Sequence, residues 1–155
     1  MAGAVAAGAL GLLAGALIFE HGLGLAPCPL CLEQRGPHAV AAILALTAAL
    51  VAAPAREAAR IALGAAALVL LIGAGLALFH SGVELQWWPG PRGCSGRFAL
   101  PTSAADFQAA LSSARIVRCD SVPWSWFGLS LANYNALFSV ALALLGGIAV
   151  LRSKS

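Results

Sequence analysis

IALGAAALVLLIGAGLALF, from Ile61 to Phe79, carries no charged residue. A helix rises 1.5 Å per residue, so about 20 apolar residues cross a hydrocarbon core about 30 Å thick. Three more stretches read the same way: 1–19, 36–53 and 131–151. In lipid a segment satisfies its own backbone only as a helix, which predicts an all-α, four-transmembrane-helix bundle forming one integral membrane domain over 1–155. The composition agrees. Of 155 residues, 61% are hydrophobic and 10% charged, and mean hydropathy is +0.89. Nine basic and six acidic side chains cannot coat a water-soluble globule of this size. A net charge of +3 is too small and scattered for a nucleic-acid footprint.

The spans leave two segments on one side, 20–35 and 80–130. Arg56 and Arg60 crowd the seven-residue loop Pro54 to Arg60, and Arg152 and Lys154 close the chain. Arg35, Arg92, Arg97, Arg115 and Arg118 are spread over the longer segments. Basic residues in short loops weigh more, so both termini are expected in the cytoplasm. A cleaved signal peptide is disfavoured, since no Lys or Arg precedes Arg35. Gly11 and Gly15 form a G-x-x-x-G pair that predicts close helix packing.

All four cysteines, Cys28, Cys31, Cys94 and Cys119, fall in the two segments on that one side. This suggests an oxidising compartment. Three pairings can be drawn; spacing favours Cys28 with Cys31 and Cys94 with Cys119. Cys28-Pro29-Leu30-Cys31 stands at the entrance to the second helix, where the helix dipole favours a thiolate. Arg35, four residues past Cys31, would add a permanent cation on the same face. Cys94 and Cys119 enclose 24 residues. Between them Ser103 and Asp106 resemble a capping box, and Ala104 to Arg115 reads as a short interfacial helix. Trp87, Trp88, Trp124 and Trp126 flank this loop as headgroup-level anchors.

Blander readings compete. Cys94–Cys119 alone would serve as a structural staple, stabilising by roughly 3 kcal/mol; a C-x-x-C bridge closes almost no loop. The second pair is too widely spaced for a usual zinc site, so no metal is expected. No βαβ pattern surrounds the C-x-x-C, which disfavours a thioredoxin motif. No G-x-G-x-x-G unit is present for a flavin. Arg35 could simply snorkel. His80 with Glu84, and Glu20 with His21, read as polar helix exits, and the latter two are assigned nothing.

CPLCLEQR at Cys28–Arg35, HSGVE at His80–Glu84, WWPGP before Cys94 and CDSVPWSWFGLSLANYN at Cys119–Asn135 together resemble the bacterial disulfide bond formation protein B (DsbB) family. The resemblance runs over nearly the whole chain. It implies a thiol:quinone oxidoreductase of the inner membrane, with its cysteines periplasmic. The implied partner is a DsbA-like thioredoxin-fold dithiol, which would attack Cys94. Cys119 would then exchange with Cys28, freeing Cys31 beside the quinone. Arg35 and Cys31 are the implied quinone contacts, with His80 as a further one, and ubiquinone is expected over menaquinone. The DsbA–DsbB–quinone system keeps the bacterial periplasm oxidising. Two competitors are a vitamin K epoxide reductase-like enzyme, whose C-x-x-C comes late in the chain, and a disulfide-stapled scaffold.

Overall fold

The computed structural model describes residues 1–91, 94, 103 and 117–153. Helix α1 (Ala2–Leu17) runs into one π-helical turn, Ile18–Gly22. A short α2 (Pro29–Glu33) is followed by α3 (Arg35–Val51), α4 (Arg56–Glu84), a small hairpin β1 (Ser125–Trp126) and β2 (Leu129–Ser130), and α5 (Leu131–Arg152). Both α1 and α4 pack against α3 and α5, closing a ring of four helices.

The core is built from small side chains. Ala41, Ala45, Ala48, Ala66 and Ala143 are buried with Val5, Leu63 and Leu70. Larger apolar groups, among them Ile43, Leu50, Ile61, Leu68 and Leu137, face outward. A water-soluble bundle would reverse this arrangement; against lipid, tails solvate Leu as well as a core does, and small residues bring backbones together. At Gly146 a Cβ would stand 3.3 Å from Ala67 Cβ, so α5 can approach α4 closely there. Gly11 and Gly15 do not act this way. Nothing lies within 4 Å of a Cβ built on either, and both border a cavity. The close packing that the G-x-x-x-G spacing predicts is therefore not found at this pair: its small-residue face leaves space instead of filling it.

Among the described residues, three helical segments are long and apolar enough to cross a membrane: Ala2–Gly22, Arg56–Glu84 and Leu131–Arg152. The fourth bundle helix, α3, has 17 residues, about 25 Å of rise. Helix α4 is longer than its uncharged stretch, 29 residues against 61–79. Arg56, Glu57 and Arg60 occupy its first turns, with Arg60 donating to Glu57 at 2.8 Å. His80 to Glu84 form its last turn, so these two side chains belong to the buried helix and not to a loop. The expected interfacial helix, Ala104 to Arg115, lies outside the described residues.

The hairpin pairs Ser125 with Ser130 and Trp126 with Leu129. Phe127 and Gly128 make its two-residue turn at φ +48° and +75°. Two successive left-handed residues match a type I′ turn, which follows strand twist. The turn delivers Ser130 to the start of α5, where its hydroxyl accepts from Asn133 N–H as the N-cap.

Candidate active site

Cys28 caps α2. Its extended backbone and the Pro29 behind it start the helix, and its sulfur accepts from the Cys31 N–H at 3.2 Å. This places the two sulfurs 2.8 Å apart. Two thiols that close share one proton unequally. The Cys28 S–H bonds to Cys31 and pulls its thiol down to about 7, against the opposing effect of burial. Arg35 pulls the same way and Glu84 pushes back. Cys28, as donor and itself buried, is held well up. Cys31 is therefore the sulfur that carries thiolate near neutral pH, as a helix entrance favours.

His80 reaches this pair from α4, its Nε2 lying 3.6 Å from Cys28 Sγ. The tautomer follows from its neighbours. Gln34 Nε2 donates to the Leu30 carbonyl at 3.0 Å and to His80 Nδ1 at 2.9 Å, while Gln34 Oε1 accepts from Asn135 at 2.5 Å. Nδ1 is an acceptor, so the imidazole proton sits on Nε2 and points toward Cys28. Glu84 Oε1 stands 3.9 Å from that same nitrogen. Its other oxygen accepts the Ser130 hydroxyl. One layer deeper, His38 Nδ1 donates to the Gln34 carbonyl at 2.7 Å and its Nε2 lies 3.1 Å from Ser139 Oγ. Three helices thus meet in one polar network directly beneath the sulfurs. Cys28, Cys31 and His80 also lie close enough to hold an ion, but a protonated Nε2 facing the sulfurs is the opposite of what a metal ligand presents.

Arg35 opens α3. Its Nη2 lies 2.7 Å from Glu20 Oε2 in the π-helical turn, and its Nε–H is buried without a hydrogen-bond partner. Beside it is a cavity of about 370 Å³, lined largely by apolar groups such as Gly11, Phe19, Leu25 and Trp124. Cys31, Gln34, Arg35 and His80 give that cavity its polar edge. An apolar slot with a few convergent polar groups is the usual form of a small-molecule site.

The second pair is a disulfide. Cys94 and Cys119 are bonded with Cα atoms 5.0 Å apart, and the Cys119 N–H donates to the Cys94 carbonyl at 2.8 Å. Both are buried, and they pack with Cys28, Cys31, Leu30 and Val83 in one cluster. The main-chain carbonyl of Cys119 is a hydrogen-bond partner of His80. All four cysteines therefore gather at one end of the bundle.

Among the residues singled out from sequence, Cys28, Cys31, Arg35 and His80 come together around the cavity edge, with the Cys94–Cys119 pair stacked against them. Trp124 and Trp126 line the cavity, a placement the headgroup-anchor reading did not anticipate. Glu20 and Glu84, read as polar helix exits, hold Arg35 and approach His80 respectively. Gln34, His38, Asn135 and Ser139 were not singled out. Their signal was present in part: polar residues at helical spacing inside or beside apolar runs are costly in lipid and mark function.

The family model for disulfide bond formation protein DsbB matches residues 1–149 of this chain. A disulfide bond formation protein B of Polaromonas sp. is 32% identical over 152 residues, covering 91% of this chain and 83% of that one. The protein of that name from Aromatoleum aromaticum is 30% identical over 151 residues, covering 93% and 87%. A third, from Xylella fastidiosa, is 33% identical over 141 residues, covering 88% and 80%. No solved structure matches.

Proposed function

The chain belongs to the disulfide bond formation protein DsbB family, and from that premise we propose that it reoxidises a DsbA-like periplasmic dithiol and passes the electrons to a membrane quinone. The observation that carries this reading is the single cluster of four cysteines whose Cys31 borders an apolar cavity. A thiol relay between a water-borne donor and a lipid-borne acceptor needs both features. The cavity suits a flat apolar ring with oxygens at its edge, since Arg35 leaves a buried N–H without a partner there. A quinone bound there supplies an acceptor for two electrons and two protons.

The remaining steps belong to the chain. The partner's thiolate attacks Cys94 Sγ, the Cys94–Cys119 bond breaks, and Cys119 leaves as a thiolate. Cys119 then attacks an oxidised Cys28–Cys31 pair at Cys28, releasing Cys31. A thiol pulled down to about 7 is a good leaving group at neutral pH. Arg35 stabilises the charge that leaves on Cys31, and the His80 N–H stabilises charge on Cys28 once that sulfur is freed. The partner's second thiol resolves the mixed disulfide and frees Cys94, whose thiolate attacks Cys119, restoring the Cys94–Cys119 bond and releasing Cys28. Both outer cysteines are buried, so the first attack requires Cys94 Sγ to become accessible. In this reading all four bundle helices cross the inner membrane, both termini are cytoplasmic, and the cysteine end is periplasmic, with the α2 turn extending α3 across that face.

The test mixes the purified protein with a reduced thioredoxin-fold dithiol and a short-chain ubiquinone. Loss of partner thiols should match loss of quinone absorbance one dithiol to one quinone. If partner thiols persist and none appear transiently in the membrane protein, the cysteines are structural staples. The vitamin K epoxide reductase-like alternative is not favoured, because here the C-x-x-C precedes the loop cysteines.

A further inference from the structure

Glu84 has no role in the steps above, yet its side chain is only 5% exposed and stands beside His80, the imidazole that faces Cys28. It does not border the cavity, so it touches no acceptor there. Burying a carboxylate is costly unless it is well paired. Its partners are the Ser130 hydroxyl and the His80 edge. That edge offers one N–H, faced by the Cys119 carbonyl and by Cys28 Sγ at 3.6 Å; Glu84 Oε1 stands 3.9 Å from the same nitrogen, beyond hydrogen-bond reach but close enough for its charge to act there. The groups surrounding this point are His80 from α4, Cys28 and Cys31 of the α2 turn, the Cys119 carbonyl, and Ser130 from the cap of α5, with Arg35 of α3 beyond Cys31.

We propose that Glu84 sets the redox balance of the Cys28–Cys31 pair, the negative charge of its buried carboxylate beside His80 disfavouring thiolate at the sulfurs. The consequence follows from linkage. A dithiol whose thiolates are stabilised makes a more oxidising disulfide. Glu84 works in the other direction, making the reduced pair a stronger electron donor. Forming the Cys28–Cys31 bond breaks the S–H bond at Cys28 and releases two electrons and that proton, which a bound quinone would take up with a second proton from water. Glu84 is thus a tuning residue, acting through His80 and through its charge, for the onward reaction on whose assignment above this inference rests. Its negative charge opposes that of Arg35 as felt at Cys31.

The test needs neither partner nor quinone. The full chain carrying Cys94→Ser and Cys119→Ser is equilibrated in dithiothreitol redox buffers, and the dithiol-to-disulfide ratio of Cys28–Cys31 is read by alkylation. Glu84→Gln should move this equilibrium toward the dithiol by three- to tenfold, tenfold being about 30 mV for a two-electron couple. It should also carry the Cys31 alkylation midpoint below about 7. Glu84→Asp should stay near the parent, and Ser130→Ala should shift in the same direction as Glu84→Gln by less. Should Glu84→Gln misfold, the Ser130→Ala shift decides. An unchanged equilibrium, or a shift toward the disulfide, overturns the inference. A shifted equilibrium in a protein that never reduces quinone would overturn the functional assignment instead.

Discussion

The two cysteine pairs are neighbours in one cluster, but they are built on different physics. Cys28 and Cys31 are three residues apart on one helical turn, and their chemistry comes from surroundings: a capping N–H, an imidazole N–H, a guanidinium and a carboxylate. Cys94 and Cys119 are 25 positions apart and joined covalently. Among the described residues, the nearby Arg118 and Asp120 side chains pair with each other. The inner pair is tuned by helices that hold charges in place; the outer pair is defined by closing a loop. A relay needs this difference. The outer disulfide has to be open to attack by another protein, while the inner one has to hold a thiolate against a lipid-facing slot.

The largest effect should come from removing the tuned sulfur. Cys31→Ser deletes the thiolate that faces the cavity, so quinone reduction should fall by roughly three orders of magnitude or more, as for loss of a nucleophile. Exchange at Cys94 with a reduced partner should continue, trapped as a mixed disulfide on a non-reducing gel. Undiminished turnover would mean the inner pair is not the electron exit, and the contrast between the pairs would be void.

Arg35→Met removes charge but no sulfur. Quinone reduction should drop by about tenfold, the scale of one pKa unit of charge stabilisation. The Cys31 alkylation midpoint should rise above about 7, since the cation favours the thiolate. The reduction rate of Cys94–Cys119 by a small thiol should be unchanged. A midpoint that stays put would show that the Cys28 thiol and the helix entrance tune Cys31 without Arg35.

The same contrast explains what could be read from sequence. The apolar runs and the cysteine positions announced the bundle and both pairs, because length, hydropathy and spacing are local. The CPLCLEQR block located Cys31 and Arg35 on one short stretch. What escaped was assembled across the chain. Gln34 acquires its role from Asn135, 101 positions away, and Glu84 from Ser130, 46 positions away. Nothing near Glu84 in sequence distinguishes a solvated helix exit from a carboxylate sealed against an imidazole. The G-x-x-x-G pair misled for a similar reason: a small-residue face permits either a close helix or a cavity, and only the neighbour decides.

The smallest expected effect probes whether the outer pair is electrostatically quiet. Arg118 donates to both oxygens of Asp120 at 2.8 and 2.6 Å, one residue to each side of Cys119, and this holds the Asp120 carboxyl below its usual range. A carboxyl lowered on folding contributes stability above its unfolded-state pKa, and that contribution is lost only as pH falls through the lowered value. Between pH 6 and 8 the pair is therefore fully formed and adds no pH dependence at Cys119. Arg118 is also well exposed, so salt screens what remains. Asp120→Asn should change the small-thiol reduction rate of Cys94–Cys119 by no more than about twofold at neutral pH, and by less at high salt. Over the same interval, alkylation of Cys31 should change steeply, as expected of a thiol with a midpoint of about 7. Flat behaviour at one pair and steep behaviour at the other, within a single cluster, would locate the tuning in the network under Cys28. If Asp120→Asn shifted the Cys31 midpoint, charge at the loop would be reaching the inner sulfurs, and the two pairs would have to be treated as one coupled titrating unit.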